Sequence, residues 1–188
     1  MPTGTTAEGF GLLSALIAAP LVAAFVASLL RGNGALRWWT LLSTTAIGLM
    51  SLGLLSAYDP SRAGFQCSER MVWVRSLGIE YRLGVDGVSV LLILLTTGLA
   101  PLCVLASWNA VATRVKEFVV CLLVMETAMV GVFCALDFVL FFVFWEAMLI
   151  PMSLLIGVWG GPRRVYAALK FFIYTMAGSA LMLAAIIA

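Results

Sequence analysis

A mostly apolar segment runs from Leu136 to Val158 and reads LDFVLFFVFWEAMLIPMSLLIGV. A helix of this length, at about 1.5 Å per residue, crosses the roughly 30 Å hydrocarbon core of a bilayer. Glu146 nevertheless lies near its centre, and Pro151 follows five residues later. An ionisable side chain at that depth costs about 2.5–3.5 kcal/mol on insertion scales, and such residues usually serve ion passage, proton relay or charge pairing. The stretch therefore predicts a membrane-spanning helix that lines a proton site.

The composition of the whole chain is that of a polytopic membrane protein. Of its 188 residues, 63% are hydrophobic and 11% are charged, whereas soluble domains are about 45–50% apolar and about 25% charged. The net charge of +2 is spread between the apolar runs, so no nucleic-acid partner is expected. Histidine is absent, the four cysteines lack metal-binding spacing, and no P-loop, dinucleotide fingerprint or Ser/His/Asp arrangement occurs. We therefore expect no metal, no cofactor and no redox catalytic site on this chain.

The apolar runs predict an all-α membrane protein, because lipid admits only helices and closed barrels. A single membrane domain is expected, with spans at about 10–30, 38–58, 88–108, 118–136, 138–158 and 165–188 and an extramembrane loop at 59–87. Within this loop the alternation of MVWVRSLGIEYRLG (71–84) predicts a short hairpin that packs on the helix ends, with Gly78 near its turn. Asp137 alone separates the fourth and fifth spans, which predicts a tight antiparallel helix pair. Pro101 is expected to interrupt the third span.

The loop charges predict an orientation. Basic residues follow spans one, three and five, whereas the opposite side receives Glu8, the balanced loop and Asp137; the basic set is Arg31, Arg37, Arg114, Lys116, Arg163 and Arg164. The positive-inside rule predicts that the basic set is cytoplasmic and that the N-terminus is outside.

Two acidic residues are expected at the same depth in the membrane. Glu126 lies eleven residues before Asp137 and Glu146 nine after it, so folding the chain at Asp137 puts both about 14–16 Å from the turn. If the two face each other, mutual repulsion and desolvation favour a proton on at least one of them near neutral pH, and a nearby lysine acts in the opposite direction. Glu146, Glu126 and Lys170, in that order, are the candidate proton-translocating residues.

Each candidate also has a purely structural interpretation. Glu146 could be a static hydrogen-bond donor, and for Glu126 the structural and functional interpretations are about equally supported. Lys170 enters the sixth span from its cytoplasmic end, where spacing alone favours interfacial anchoring. Ser153 and Gly157, seven and eleven positions after Glu146, are small, which indicates that this helix face meets protein.

Three segments carry a resemblance to a known family. They are RLGVDGVSVLLILLTTGLAPLCVLASW (82–108), GVFCALDFVLFFVFWEAMLIPM (131–152) and IGVWGGPRRVYAALKFFIYT (156–175). They resemble the M subunits of proton-pumping NADH:quinone oxidoreductase, respiratory complex I, which are the bacterial counterparts of mitochondrial subunit 4. The resemblance is close from about Trp73 to Ala188 and looser over the first two spans. The strings F-W-E-x-x-x-I-P-M and W-G-G-x-x-R-x-Y-A-A-x-K-F-F make it specific.

The resemblance implies an antiporter-like membrane-arm subunit of about fourteen helices, of which this chain holds the first six. Such a subunit translocates protons coupled to electron transfer from NADH to quinone. The resemblance makes Glu146 the family's essential fifth-helix glutamate, and Lys170 the lysine of its sixth-helix K-F-F string. Glu126 matches a position that holds glutamate in some branches. The family's partner for Glu146 is a seventh-helix lysine beyond Ala188, so the chain alone is not expected to pump.

The same resemblance implies the surroundings of the chain. NADH, FMN, iron–sulfur clusters and quinone are expected on partner subunits, and neighbouring antiporter-like subunits and the lipid bilayer are the expected partners. The expected location is a bacterial cytoplasmic (inner) membrane. Two alternatives stay open: a subunit of a multisubunit cation/proton antiporter or membrane-bound hydrogenase, and a structural membrane scaffold with a static Glu146. Identifying the co-purifying subunits distinguishes the first alternative from a complex I subunit. A fully active Glu146→Gln variant favours the second alternative, the scaffold.

Overall fold

The computed structural model describes residues 11–62, 64–74 and 79–187. In these ranges the chain forms α1 (Leu12–Leu29), α2 (Asn33–Ser51), α3 (Gly53–Ala57), β1 (Gln66–Val74), β2 (Ile79–Val85), α4 (Gly87–Ser107), α5 (Val115–Cys134), α6 (Phe138–Trp159) and α7 (Arg164–Ile187). Six segments are long and apolar enough to cross a membrane: α1, the α2–α3 segment, and each of α4 to α7. The prediction of six membrane-spanning helices in a helical membrane protein is confirmed.

Two spans extend beyond their apolar runs, because the first turns of their helices are polar. The second span begins at Asn33, and α5 begins at Val115, so that its first turn includes Lys116. The ammonium of Lys116 donates to the carbonyl of Ser28 at the end of α1, at 2.8 Å. Pro101 lies inside a continuous α4, so the predicted interruption of the third span is not observed.

Helix α5 is the centre of the bundle. It packs against α1, α2, α4 and α6, and α7 packs mainly against α6. The approach of α5 to α6 depends on Gly131, because a Cβ atom there would overlap the ring of Phe144. Gly48 of α2 has a similar role, since a Cβ at this position would lie 3.1 Å from the carbonyl oxygen of Thr97 in α4.

Two apolar clusters fill the interior at different depths. The cluster nearer the β1–β2 hairpin, which we call the hairpin-end cluster, includes Leu16, Ile17, Ile47, Ile93 and Val130. The cluster nearer the opposite end, where Arg37 and Lys116 lie, is called the basic-end cluster and includes Ala23, Ala27, Leu36, Val119 and Leu123. Buried polar residues occupy the intervening positions, namely Thr40 and Thr44 in α2 and Glu126 and Thr127 in α5. The interior therefore contains a polar layer between its two apolar clusters.

The antiparallel β1–β2 hairpin covers one end of the bundle, which we call the hairpin end. The backbone N–H of Leu136 donates to the carbonyl of Arg82 at 2.9 Å, and an isolated bridge pairs Leu83 with Ala135. The hairpin thereby holds the α5–α6 turn, as the sequence predicts; Gly78, proposed for its own turn, lies outside the described residues. Asp137 begins α6 by accepting hydrogen bonds from the N–H groups of Val139 and Leu140.

Side chains at the opposite end, which we call the basic end, bind the ends of neighbouring helices. Arg37 donates to the carbonyl of Val111 at 2.9 Å and lies over the ring of Trp108, 5.9 Å from its centroid. The indole N–H of Trp159 donates to the carbonyl of Thr113 at 3.1 Å. Tryptophan and basic residues at helix ends are typical of the boundary between a bilayer and water.

Candidate proton site

Glu126 lies in the interior of the bundle. Its side chain is 1% exposed, and neither carboxyl oxygen has a hydrogen-bond partner among the residues that the structure describes. Gly131 marks the side of α5 that meets α6, and Glu126 is rotated from it by about 140° at 3.6 residues per turn. Glu126 therefore faces the side of α5 that packs against α1, α2 and α4.

Glu146 lies on a different side of its own helix and is half-buried. Phe144 marks the side of α6 that meets α5, and Glu146 is rotated from it by about 160°. Gly157, eleven residues later, shares the face of Glu146, and a Cβ at Gly157 would lie 3.3 Å from the Cβ of Ala168 in α7. The prediction that this face meets protein is confirmed at Gly157, and the protein it meets is α7.

The two glutamates are consequently on adjacent helices without facing each other. Their common depth follows from the turn at Asp137, as the sequence indicates. Their rotation is set by a different feature, the fit of Phe144 against Gly131, which turns Glu126 toward the core and Glu146 toward α7. The arrangement provides two separate acidic positions instead of one facing pair.

Lys170 is exposed on α7. Its ammonium lies 6.0 Å from the ring centroid of Tyr166 and 5.9 Å from that of Tyr174, within cation–π range. Ala168, which contacts α6, is on the opposite side of α7 from Lys170, because the two are rotated by about 200°. In the described part of the chain the ion pairs join Arg62 to Asp59, Arg70 to Glu80 and Arg114 to Glu117, so the structure does not pair Lys170 with Glu146.

A buried acidic residue that the sequence analysis missed is Glu69, in β1, which is 3% exposed. Its carboxylate accepts hydrogen bonds from the N–H of Leu13 at 2.8 Å, the N–H of Ser14 at 3.2 Å and the hydroxyl of Ser14. These are donors of the first turn of α1, a helix whose own N-cap residue, Gly11, supplies no side-chain hydrogen bond. A Cβ at Gly11 would lie 2.5 Å from Glu69 Oε1, so glycine admits the carboxylate.

Metal-binding groups were sought throughout the described ranges. No group of three or more His, Cys, Asp or Glu side chains lies close enough there to hold a metal ion. All four cysteines are free thiols. The expectation that the chain carries no cofactor stays a prediction.

Comparison with known proteins identifies the family. The sequence profile described as "NADH-ubiquinone oxidoreductase chain 4, amino terminus" matches residues 16–132, which is more than half of the chain. The chain belongs to this chain 4 family. A second profile, "NADH:quinone oxidoreductase/Mrp antiporter, TM", matches residues 135–188. The resemblance predicted from the three sequence segments is confirmed.

Relatives of this chain 4 family member include the "NADH-quinone oxidoreductase subunit M" of Rhodobacter capsulatus. It is 49% identical over 183 residues, which cover 94% of this chain and 35% of the relative. The chain therefore spans about a third of the length of that relative.

Two solved structures share the fold. The Mrp complex from Dietzia sp. DQ12-45-1b has a chain with a TM-score of 0.78 and 21% identity, matched over 93% of this chain and 19% of that one. The membrane-bound sulfane sulfur reductase, an archaeal respiratory membrane complex, has one with a TM-score of 0.76 and 20% identity, matched over 92% and 36%. The chain is thus a multi-pass membrane protein whose fold recurs in multisubunit membrane complexes.

Proposed function

We propose that the chain is the N-terminal part of a membrane-arm subunit of a proton-translocating NADH:quinone oxidoreductase, respiratory complex I, and that Glu146 carries protons in it. The observation that supports this most strongly is an acidic residue in the middle of the 22-residue apolar helix α6, in a chain of the chain 4 family. An acid at that depth is usually functional, because leaving it in a bilayer is unfavourable.

The surroundings of Glu146 suit proton exchange. The next residue, Ala147, has a carbonyl without an intrahelical donor, because its partner four residues later is Pro151, which has no N–H. A protonated carboxyl group or a water molecule can donate to that oxygen. Glu146 is half-buried on the side of α6 that meets α7, so α7 is the helix next to its carboxyl group.

The location and partners follow from the same proposal. The basic end faces the cytoplasm of a bacterium, and the N-terminus and the β1–β2 hairpin lie outside, in a cytoplasmic (inner) membrane. The concentration of arginine and lysine at the basic end supports this orientation.

Neighbouring antiporter-like subunits bind to the chain, and partner subunits supply NADH oxidation, FMN, iron–sulfur clusters and quinone reduction. Lys170 is the last of the three candidates for proton transfer, because its ammonium lies beside the rings of Tyr166 and Tyr174 on an exposed helix face.

The test is a Glu146→Gln substitution in the whole complex, reconstituted in vesicles. Glutamine keeps the size and the hydrogen bonds of glutamate and removes its ionisation, so proton uptake into the vesicles should fall at least tenfold. NADH oxidation with an artificial electron acceptor should stay unchanged. Glu117→Gln is the matched control, because Glu117 is half-exposed at the start of α5, and it should pump normally. Wild-type pumping by Glu146→Gln contradicts the proposal and supports a scaffold.

A second function is favoured by the profile over residues 135–188, whose description also includes Mrp antiporters. In that case the chain belongs to a cation/proton antiporter, in which proton movement is coupled to the opposite movement of a cation instead of to electron transfer. Purification of the complex with its partners distinguishes the two functions. Co-purifying flavin and iron–sulfur subunits support the oxidoreductase, and their absence from an intact complex supports the antiporter.

A further inference from the structure

A narrow cleft enters the bundle from the basic end, between α2, α4 and α5. Its volume of about 10 Å³ is close to the space that a single water molecule requires. Arg37, Ser107 and Trp108 line its outer part, and Thr40 and Leu122 lie on its inner walls. The guanidinium and the hydroxyls of Thr40 and Ser107 are the polar groups of the cleft. The rest of its walls are apolar and are formed by Val104, Trp108, Val111, Val115, Phe118, Val119 and Leu122.

The cleft stops one helical turn short of Glu126. Leu122 precedes Glu126 by four residues on the same face of α5, which separates them by about 6 Å along the helix axis. Thr40 precedes Thr44 by one turn of α2, and the hydroxyl of Thr44 donates to the carbonyl of Thr40 at 2.8 Å. The cleft therefore reaches the polar layer at Thr40, and Leu122 is the cleft-lining side chain nearest to Glu126 along α5.

In the described part of the chain, Glu126 has no charged partner to stabilise an ionised form. Among the elements packed against α5, α1 and α4 carry no charged residue, α2 carries only Arg37 and α6 only Glu146. Arg37 is engaged at the basic end, and Glu146 faces α7. The charges of β2, on Glu80 and Arg82, are at the hairpin end. A buried carboxyl group without partners is unfavourable, so an exchangeable proton and access to water are the means of satisfying it.

The polar groups continue beyond Glu126 toward the hairpin end. The hydroxyls of Ser51 and Thr97 lie 2.7 Å apart, and both residues are buried. Thr97 also has a carbonyl without an intrahelical donor, because Pro101 follows four residues later. Hydrogen-bonding groups are thus present in α2 and α4 on both sides of the level of Glu126.

We propose that Glu126 is a second protonatable site, separate from Glu146, which exchanges protons with the basic end through water in this cleft. Leu122 is the side chain that limits the exchange. The inference rests on the proposed function for its physiological role, in that the proton taken up by Glu126 serves translocation by the complex. The chemistry of the site itself needs only a carboxyl group, water and the cleft.

The test is infrared spectroscopy of the whole complex transferred from H₂O to D₂O. The C=O stretch of the protonated Glu126 carboxyl is assigned by its loss in Glu126→Gln, and its shift in D₂O gives the rate of proton exchange. Leu122→Ala should accelerate this exchange several-fold, because it opens the inner end of the cleft. Leu123→Ala is the matched control: it removes the same atoms from the same helix, but Leu123 does not line the cleft, and the rate should not change.

A second pair of variants covers the case in which Leu122→Ala fails to assemble. Thr40→Val removes a hydroxyl from the cleft and should slow the exchange, whereas Thr45→Val, at an exposed position of α2, should not. The proposal is overturned if Glu126→Gln removes no carboxyl band, or if each variant exchanges at the rate of its control. Failure of the proposed function gives a different result, since a pumping Glu146→Gln complex would retain the Glu126 band and its exchange.

Discussion

Glu69 and Glu126 are two buried acidic side chains in opposite situations. They are 3% and 1% exposed, yet Glu69 accepts hydrogen bonds from the backbone and side chain of the first turn of α1, whereas Glu126 has no hydrogen-bond partner within the described ranges. Glu69 is part of the hairpin that closes the hairpin end, and Glu126 is in the polar layer between two apolar clusters.

The difference distinguishes an acid that stabilises the fold from one that is available for chemistry. The N–H groups of Leu13 and Ser14 would be left without a partner if the carboxylate were removed, so the fold depends on this side chain. Glu126 contributes no hydrogen bond to the described fold, and its burial is unfavourable. Burial alone therefore does not separate the two acids, whereas their hydrogen-bond partners do.

The largest expected effect is that of Glu69→Ala. It leaves the N–H groups of Leu13 and Ser14 without a partner and leaves the Ser14 hydroxyl only its contact with the hydroxyl of Tyr81, and should lower the unfolding free energy by about 3 kcal/mol. Denaturant unfolding of the purified protein measures this change, and hydrogen exchange at Leu13 and Ser14 should lose its protection. Glu80→Ala is the control in the same sheet, because Glu80 makes an exposed ion pair with Arg70 and should have little effect. If Glu69→Ala and Glu80→Ala were equally stable, the hydrogen bonds of Glu69 would not stabilise the fold, and Glu69 would not differ from Glu126 in this respect.

The opposite sign is expected for Glu126→Leu. Leucine matches the apolar clusters on either side of Glu126 along the bundle and removes a carboxyl group that has no partner among the described residues, so the unfolding free energy should rise by about 1–2 kcal/mol. The same unfolding measurement applies. A decrease in stability comparable to that of Glu69→Ala would mean that Glu126 has a stabilising partner, and would make the two acids equivalent.

Asp86 is a reference for Glu69, because it caps the helix that follows it directly in the sequence, whereas Glu69 caps a distant helix. Its carboxylate accepts a hydrogen bond from the N–H of Ser89 in the first turn of α4, at 2.7 Å. Asp86→Ala should lower the unfolding free energy by about 1 kcal/mol, while Asp86→Asn, which can also cap, should change it little. If Glu69→Ala has no larger effect than Asp86→Ala, Glu69 is an ordinary cap and does not also hold the hairpin to α1.

The smallest expected effect is the pH dependence of this cap. The hydrogen bond from Ser89 holds the pKa of Asp86 below its ordinary value of 3.8. Because the folded-state pKa is the lower one, the cap contributes its full stability above the ordinary value and loses it as the pH falls through the folded-state value. Unfolding free energies measured at decreasing pH should therefore decline less steeply in Asp86→Asn. An identical decline in both proteins would show that this carboxylate does not contribute.

The spans and the hairpin were predictable because their signals are local. Apolar runs, the alternation around Met71 to Gly84 and the single Asp137 between two helices are each visible within a short segment. The depth of Glu126 and Glu146 was predictable for the same reason. Their rotation was not, because it depends on how the ring of Phe144 fits against Gly131.

The role of Glu69 was not predictable from its neighbours in the sequence. Its partners Leu13 and Ser14 are 56 and 55 positions away, and in the loop it resembles any acid that balances nearby arginines. The available signal was weak: a first span that begins with Gly11 and has no acidic side chain in its first turn. A long-range contact of this kind becomes visible only when the hairpin is placed on the helix ends.

We predict that Glu126, which has no hydrogen-bond partner within the described ranges, carries protons and that the hydrogen-bonded Glu69 does not. The most direct measurement is the number of protons translocated per NADH by the whole complex in vesicles, compared between the unmodified complex and Glu126→Gln at equal assembly. The Glu126→Gln complex should assemble normally, oxidise NADH with an artificial acceptor at the normal rate and translocate fewer protons per NADH. An unchanged number of protons per NADH in a normally assembled Glu126→Gln complex would contradict this prediction.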